Sequence, residues 1–172
     1  MNCQNIKKNK NLNIKKKSGF TLTEFLVIIA ILVILTALAI PTYLHFREES
    51  DLNDSAEEIV NTLRVAQNKT LTSEGASQWG VYFTTSTTPH QYTLFQGSSY
   101  GSRATSFDET YRLPRSVEIY ELSLGGEEAI FFKRITGFAS SAIQTNQVSI
   151  RLKADLTKTK TIKIENSGQV GL

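Results

Sequence analysis

The chain has 172 residues, of which 40% are hydrophobic and 20% charged, and this composition fits one globular domain with an appendage. Its net charge of +3 is uneven, because residues 1–19 hold six lysines and no acid while the rest hold 13 basic and 16 acidic side chains. The basic balance therefore belongs to the N-terminus and gives no support to a nucleic-acid-binding class. The single cysteine, Cys3, excludes an internal disulfide bond.

The first predicted element is an apolar helix that follows the basic leader. Residues 25–40 carry no charge, and with residues 20–24 they approach the roughly 20 residues that span a bilayer as a helix. The lysines on the N-terminal side predict that this end faces the cytoplasm. One acid, Glu24, lies at the start of the stretch, where a carboxylate costs roughly 2.5–3.5 kcal/mol on membrane-insertion scales. A compensating partner for Glu24 is therefore expected.

Two ordinary interpretations account for the lysines and the apolar run. The run is a signal anchor that tethers an outer β-rich binding domain, or it is a secretory signal peptide that is cleaved after Ala39, at an Ala-x-Ala motif. Neither interpretation explains why Glu24 follows Gly19 so closely. A lipid on Cys3 is disfavoured because no apolar run precedes that residue.

A third interpretation rests on the segment GFTLTEFLVIIAILVIL, which begins at Gly19, and on Pro41. This segment resembles the N-terminus of type IV pilins and of the pseudopilins of type II secretion. The resemblance implies that a prepilin peptidase cuts between Gly19 and Phe20 and that Phe20 becomes N-methylated. It also implies that Glu24 acts in assembly, by pairing with the new ammonium of a neighbouring subunit. Pro41, which lacks a backbone donor, is expected to kink the helix.

The same resemblance implies a function and a location. The chain is expected to be a structural subunit of a type IV pilus or a type II secretion pseudopilus. It would cross the inner membrane once, with its C-terminal domain outside, and later enter a periplasmic or extracellular filament. Its partners would be homologous subunits, the prepilin peptidase and an inner-membrane assembly platform. The predicted parts are a leader over 1–19, a transmembrane or filament-core helix over 20–45 and a globular domain over 46–172.

The next predicted element is an amphipathic helix over about residues 50–73. Acidic and amide side chains occupy one face, and Gly75 supplies a stop. The strands that follow are expected to cover the apolar face. Its apolar positions recur in alternating steps of four and three: Leu52, Ala56, Ile59, Leu63, Ala66 and Thr70, with Val60 beside them.

From residue 78 the pattern changes to an alternation of period two, which predicts a β-rich region over 78–172. Six strands are predicted: Trp79–Thr85, Gln91–Gln96, Val117–Leu122, Ala129–Arg134, Val148–Lys153 and Thr161–Glu165. The last two form an antiparallel hairpin across residues 154–160. The predicted fold class is therefore α+β, with a long N-terminal helix, half apolar and half amphipathic, packed on an antiparallel β-sheet.

Three further patterns resemble the H-type minor pseudopilins, the FimT-like group. They are Leu63–Gln67 near the helix end, Ile130–Gly137, and the tail Lys160–Val170. The residues after Gly19 hold no cysteine pair of the kind found in many major pilins. Residues 166–172 hold no acids of the kind that bind calcium in major pseudopilins. Both features favour a minor or divergent subunit.

The sequence shows no constellation that predicts a catalytic, cofactor-binding or metal-binding site, so no enzyme is expected. His45 and His90 are expected to be solvated surface residues. A cationic cluster near the hairpin offers an alternative function in DNA uptake, with Tyr92, Phe95 and Tyr100 as stacking surfaces. Lysines that discourage strand pairing explain the same cluster, so nucleic acid is not the expected partner. The cluster comprises Arg151, Lys153, Lys158, Lys160 and Lys163.

Overall fold

The computed structural model describes residues 19–140 and 145–172, apart from the side chains at positions 38, 39, 41 and 42. The chain divides into two compact units between Pro41 and Thr42. Helix α1, Leu22–Leu71, supplies residues to both units. The side chain of Pro41 is outside the described set, so the kink expected there stays a prediction. Among the helical residues that the structure describes, none form a segment long and apolar enough to cross a membrane.

The C-terminal part of α1 packs by the predicted stripe, because all seven of its apolar positions are buried. The helix ends at Leu71, two residues before the expected end, and Ser73 then takes a left-handed conformation with φ of 53°. The helix therefore ends before Gly75, the predicted stop, which lies in a separate short 3-10 turn, Glu74–Ala76, with a φ of +65° that suits a residue without a Cβ atom. The chain then enters its first strand.

Nine strands follow in the residues that the structure describes, and all of their pairings are antiparallel. The α+β fold class is confirmed, but the strands form two sheets where a single sheet was expected. The strands are β1 Trp79–Thr84, β2 Gln91–Gln96, β3 Glu109–Arg112, β4 Val117–Ser123, β5 Ala129–Phe132, β6 Ala139–Ser140, β7 Thr145–Leu152, β8 Thr159–Glu165 and β9 Val170–Gly171. The first sheet has the order β3-β2-β1-β5-β6 and the second has the order β4-β7-β8-β9.

One contiguous core joins α1 to both sheets. Val81 and Leu94 contribute to it from the first sheet, Ile150 and Ile162 from the second, and Ile59 from the helix. The β7–β8 hairpin is confirmed, with Val148 paired to Ile162 and Ile150 paired to Lys160. Because alternate residues of a strand point to opposite faces, this register places Ile162 and Ile164 on the inner face and Lys163 on the outer face.

His90 connects the two sheets. Its backbone oxygen accepts a hydrogen bond from the Leu113 amide at 3.0 Å, and its Nδ1 accepts one from the Ile119 amide at 3.0 Å. The prediction of a solvated surface histidine is therefore wrong for His90, which is half-buried. Burial and then the charge of Lys153 lower the pKa of His90, so the neutral imidazole needed as acceptor is favoured.

Candidate functional site

The first turn of α1 is closed by reciprocal hydrogen bonds between Thr21 and Glu24. The Glu24 Oε2 atom accepts from the Thr21 amide at 3.1 Å and from the Thr21 hydroxyl at 3.0 Å. In return the Glu24 amide donates to the Thr21 hydroxyl oxygen at 3.3 Å. This arrangement is a capping box, which satisfies amide groups that the helix start leaves without partners. It places the carboxylate at the helix N-terminus, where the helix dipole favours negative charge.

The predicted cleavage bond precedes this turn and is accessible. Gly19 and Phe20 lie outside the helix, and the Phe20 side chain is 80% exposed. A Cβ atom added to Gly19 would meet no other atom within 4 Å. A protease can therefore approach the bond between Gly19 and Phe20 without first unwinding α1.

Thr21 was not singled out from the sequence, although the signal for it was present. The spacing Thr21-Leu-Thr-Glu24 is the Thr-x-x-Glu pattern of a capping box ahead of an apolar run. The carboxylate consequently has a local structural role in addition to the assembly role that the resemblance implies. Within the described residues, these bonds use only the Oε2 atom of Glu24.

The helix after Glu24 presents apolar side chains in every direction. Successive helical residues turn by about 100°, so Phe25–Ile29 alone complete more than one circuit of the axis. Eleven large apolar side chains of this segment are each 44–62% exposed. They surround the helix axis, so this part of the helix has no separate polar face of the kind that an amphipathic helix turns to water. They are Phe25, Leu26, Val27, Ile28, Ile29, Ile31, Leu32, Val33, Ile34, Leu35 and Ile40. Exposed apolar surface of this extent marks a site of contact with lipid or with other protein.

The aromatic side chains considered for stacking nucleic-acid bases are unavailable. Tyr92 and Phe95 are fully buried, so the prediction of stacking surfaces there is wrong. Both faces of Tyr100 are occupied, one by the parallel ring of Tyr82 at 3.7 Å and the other by the Arg103 guanidinium at 3.7 Å. Aromatic packing and cation–π attraction stabilise this stack without leaving a free face for a base.

The cationic cluster near the hairpin is partly neutralised. Arg151 pairs with Glu118 at 2.8 Å, and Lys158 pairs with Glu49 at 3.3 Å. No dense basic surface of the kind that tracks a phosphate backbone results from this arrangement in the described part of the chain. Within the same part, no three His, Cys, Asp or Glu side chains gather closely enough to hold a metal ion.

The three patterns that resemble H-type pseudopilins meet at one place in the globular unit. The Gln67 amide donates from Nε2 to the Gly137 oxygen at 3.0 Å, and Arg64 donates to the Val170 oxygen at 3.1 Å. Gly168 has a φ of +84°, and a Cβ atom there would overlap Gln67 Nε2 and the Gly137 oxygen. The glycine is therefore required by the close approach of the tail to both neighbours.

The N-terminal motif and the fold were each compared with those of known proteins, and both have matches. Residues 14–40 match the family model of the prokaryotic N-terminal methylation motif. The fold is similar to that of the minor pseudopilin EpsH from the type 2 secretion system of Vibrio cholerae, with 14% identity and a TM-score of 0.52 over 71% of this chain and 95% of that one. It is also similar to the type IV minor pilin FimU of Pseudomonas aeruginosa, with 14% identity and a TM-score of 0.56 over 74% of this chain and 91% of that one. No curated protein sequence matches the chain.

Motif and fold together define the class. The chain combines an N-terminal methylation motif of the prepilin type with the fold of minor pilins and pseudopilins. The resemblance to type IV pilins and type II secretion pseudopilins is thereby confirmed.

Proposed function

We propose that this chain is a minor structural subunit of a type IV pilus or of a type II secretion pseudopilus. It is cut between Gly19 and Phe20 by a prepilin peptidase, and residues 20–45 hold it in the inner membrane until an assembly platform extracts it into the filament. The observation that carries this proposal is a helix with apolar side chains exposed on every side and one carboxylate, Glu24, at its start. Such a surface can contact lipid before assembly and the helices of other subunits in the filament.

The chemistry of assembly follows from cleavage. Cutting after Gly19 converts the amide of Phe20 into an ammonium group next to an apolar helix. Pairing that ammonium with the Glu24 carboxylate of a neighbour neutralises two charges that are each costly in an apolar bundle. The pair also fixes the axial register of neighbouring helices, and a fixed register is the best-supported use of a buried charge. The capping box orients the carboxylate for this contact before a partner arrives.

Assignment to a minor subunit of the H type is supported by the globular unit. The proteins of similar fold are described as a minor pseudopilin and a minor pilin. The contacts of Gln67 with Gly137 and of Arg64 with Val170 join the three segments that resemble the H-type group. These contacts give a structural reason for the segments to occur together in one sequence.

Two substitutions separate the assembly role of Glu24 from its capping role. Glu24→Gln keeps a side chain that can complete a capping box but removes the charge. Thr21→Ala removes the hydroxyl that caps the helix and keeps the charge, and its backbone amide can still donate to Glu24. We expect Glu24→Gln to be processed and to reach the membrane normally, while its incorporation into filaments falls at least about tenfold, equivalent to about 1.4 kcal/mol. Thr21→Ala should assemble much closer to the parent level. Immunoblots of sheared filaments against the membrane fraction measure both effects.

The opposite ranking contradicts the proposal. If Glu24→Gln enters filaments as well as the parent chain, no ion pair is needed for assembly. If Thr21→Ala causes the larger loss, Glu24 acts through the first helical turn and not through a neighbouring subunit.

A further inference from the structure

The turn between β5 and β6 presents an exposed apolar side chain beside two cations. Ile135 is 87% exposed, and the two residues before it, Lys133 and Arg134, are exposed as well. Among the described residues, no acid lies within ion-pair distance of either cation. The β5–β6 turn therefore offers a partner one uncovered hydrocarbon side chain and two positive charges.

The backbone of the β5–β6 turn holds Ile135 in a conformation that disfavours its residue type. Its φ is 73°, in the left-handed region, where a β-branched residue is an outlier and where glycine or asparagine would be less strained. Hydrogen bonds fix the turn: the Gly137 amide donates to the Lys133 oxygen at 2.9 Å, and the Lys133 amide donates to the Phe138 oxygen at 2.8 Å. Ile135 thus contributes neither to the core nor to an unstrained turn, so the fold of its own chain does not explain an apolar side chain here.

A groove with apolar surface lies between α1 and the last residues of the described chain. Its volume is about 240 Å³, and it is lined by Glu57, Val60, Asn61, Arg64 and Leu172. Val60 is 6% exposed, as expected for the floor of a groove, and Leu172 is 61% exposed. This α1 groove therefore has room and apolar contacts for a side chain from another molecule.

The side of α1 that leads to the α1 groove is acidic. Positions 54, 57, 61 and 64 follow one another in steps of three and four and so lie on one side of the helix. Asp54 and Glu57 are exposed, and within the part of the chain that the structure describes neither forms an ion pair. The cation of the groove, Arg64, donates to the Val170 oxygen at 3.1 Å. The α1 groove and the β5–β6 turn thus carry opposite charges next to apolar surface.

We propose that two copies of this chain associate through these surfaces, so that Ile135 of one copy enters the α1 groove of the other. Lys133 and Arg134 of the first copy then face Asp54 and Glu57 of the second. Burial of the isoleucine favours association, and the opposite charges select the orientation of the two copies. One chain supplies both halves of the contact, which is the reason for assigning the partner as a second copy. The contact joins globular units and does not involve Glu24.

Disulfide cross-linking of the full chain tests the contact. A tagged chain with Ile135→Cys is mixed in detergent micelles with an untagged chain with Asn61→Cys, and both carry Cys3→Ser. Leu156→Cys replaces Ile135→Cys in the matched control, because Leu156 is 57% exposed in the turn between β7 and β8. We expect the mixed disulfide between positions 135 and 61 to form at least about tenfold faster than that between positions 156 and 61. Equal rates overturn the proposal. Because no filament or assembly platform is present, this result would leave the proposed function standing.

Charge reversal distinguishes docking from chance collision. Lys133→Glu together with Arg134→Glu in the tagged chain places acids opposite Asp54 and Glu57, so the cross-link between positions 135 and 61 should form at least about tenfold more slowly. Asp54→Lys together with Glu57→Lys in the untagged chain restores the attraction with its sign reversed. The rate should then return to within about twofold of the parent pair.

The control for net charge reverses two acids away from the α1 groove. Glu121 and Glu127 are exposed and do not line it. Glu121→Lys together with Glu127→Lys in the untagged chain should leave cross-linking by the reversed tagged chain slow. The proposal is overturned if reversing the turn does not slow cross-linking, if the reversed groove side does not restore it, or if the control pair restores it equally.

Discussion

The carboxylate of Glu24 is held by the first turn of its own helix before any neighbour reaches it. Two bonds from Thr21 fix its Oε2 atom, and the helix dipole favours its charge. A carboxylate that is already oriented loses less side-chain freedom when it pairs with an incoming ammonium. The local capping role of Glu24 is therefore compatible with its proposed role in assembly.

At the same scale, His90 predicts how stability depends on pH. Its pKa is lowered below 6.5 by burial and by Lys153, and its neutral form accepts the Ile119 amide. The unfolded chain therefore binds more protons than the folded chain as pH falls through the ordinary histidine range. The free energy of unfolding should consequently decrease between about pH 7 and pH 5.5.

The variant His90→Asn tests this linkage, because asparagine can still accept the amide but does not titrate. Urea unfolding of the full chain in detergent, followed by the emission of its single tryptophan, Trp79, should show a flatter pH profile for the variant. Parallel profiles of parent and variant would show that His90 does not contribute to the pH dependence.

At the scale of elements, the end of α1 is joined to the first sheet by Thr70. Its hydroxyl donates to the Ala66 oxygen at 2.8 Å and accepts from the buried Trp79 amide at 2.9 Å. Thr70→Val keeps the shape but leaves that amide without a partner, so we expect a loss of about 1–3 kcal/mol in the free energy of unfolding. Thr72→Val is the control, because Thr72 lies two residues later and is exposed. This substitution should change the free energy of unfolding by less than about 0.5 kcal/mol. Similar urea midpoints for the two variants would contradict the assigned role.

The tail is positioned by Gly168. Its φ of +84° and its approach to Gln67 and Gly137 leave no space for a Cβ atom. Gly168→Ala should therefore cost about 1–3 kcal/mol of folding free energy, through a strained backbone and displaced contacts. Gly101→Ala is the control, since a Cβ atom there meets nothing within 4 Å. Thermal unfolding midpoints that are equal in the two variants would refute the close packing of the tail.

The sequence pattern predicted those elements in which the spacing of apolar residues repeats over several consecutive periods. The buried stripe of α1 and the β7–β8 hairpin were visible because each spans several periods of its own repeat. Three strands were missed for different reasons. β3, Glu109–Arg112, is a polar edge strand, and β6 and β9 have two residues each, too few to show alternation. The division into two sheets depends on pairings between distant strands, which no local pattern encodes.

The proposed processing and assembly residues, Gly19, Phe20 and Glu24, lie within six consecutive residues, so a local pattern is enough to propose them. The connecting role of His90 could not be predicted from a local pattern, because its partner Ile119 is 29 residues away in the chain. The contact of Gln67 with Gly137, which are 70 residues apart, could not be predicted either, although each lies in a segment that resembles the H-type group. Contacts of this kind follow from the packing of α1 on both sheets and not from the spacing of residues.

At the scale of the molecule, the two units have opposite surfaces. The globular unit buries most of its large apolar side chains in a core shared by the helix and both sheets. The apolar part of α1 exposes nearly all of its own. Exposed apolar surface of this extent favours contact with lipid or with other protein, which supports the proposed membrane location and the proposed assembly.

The mature N-terminus tests the account most directly. Mass spectrometry of the protein isolated from cells with an active prepilin peptidase should find a chain that begins at N-methylated Phe20. A chain that begins at Ile40 would instead identify a secreted domain released by signal peptidase. A chain that keeps Met1 and its lysine-rich leader in membranes and filaments would contradict processing as the step that creates the ammonium partner of Glu24.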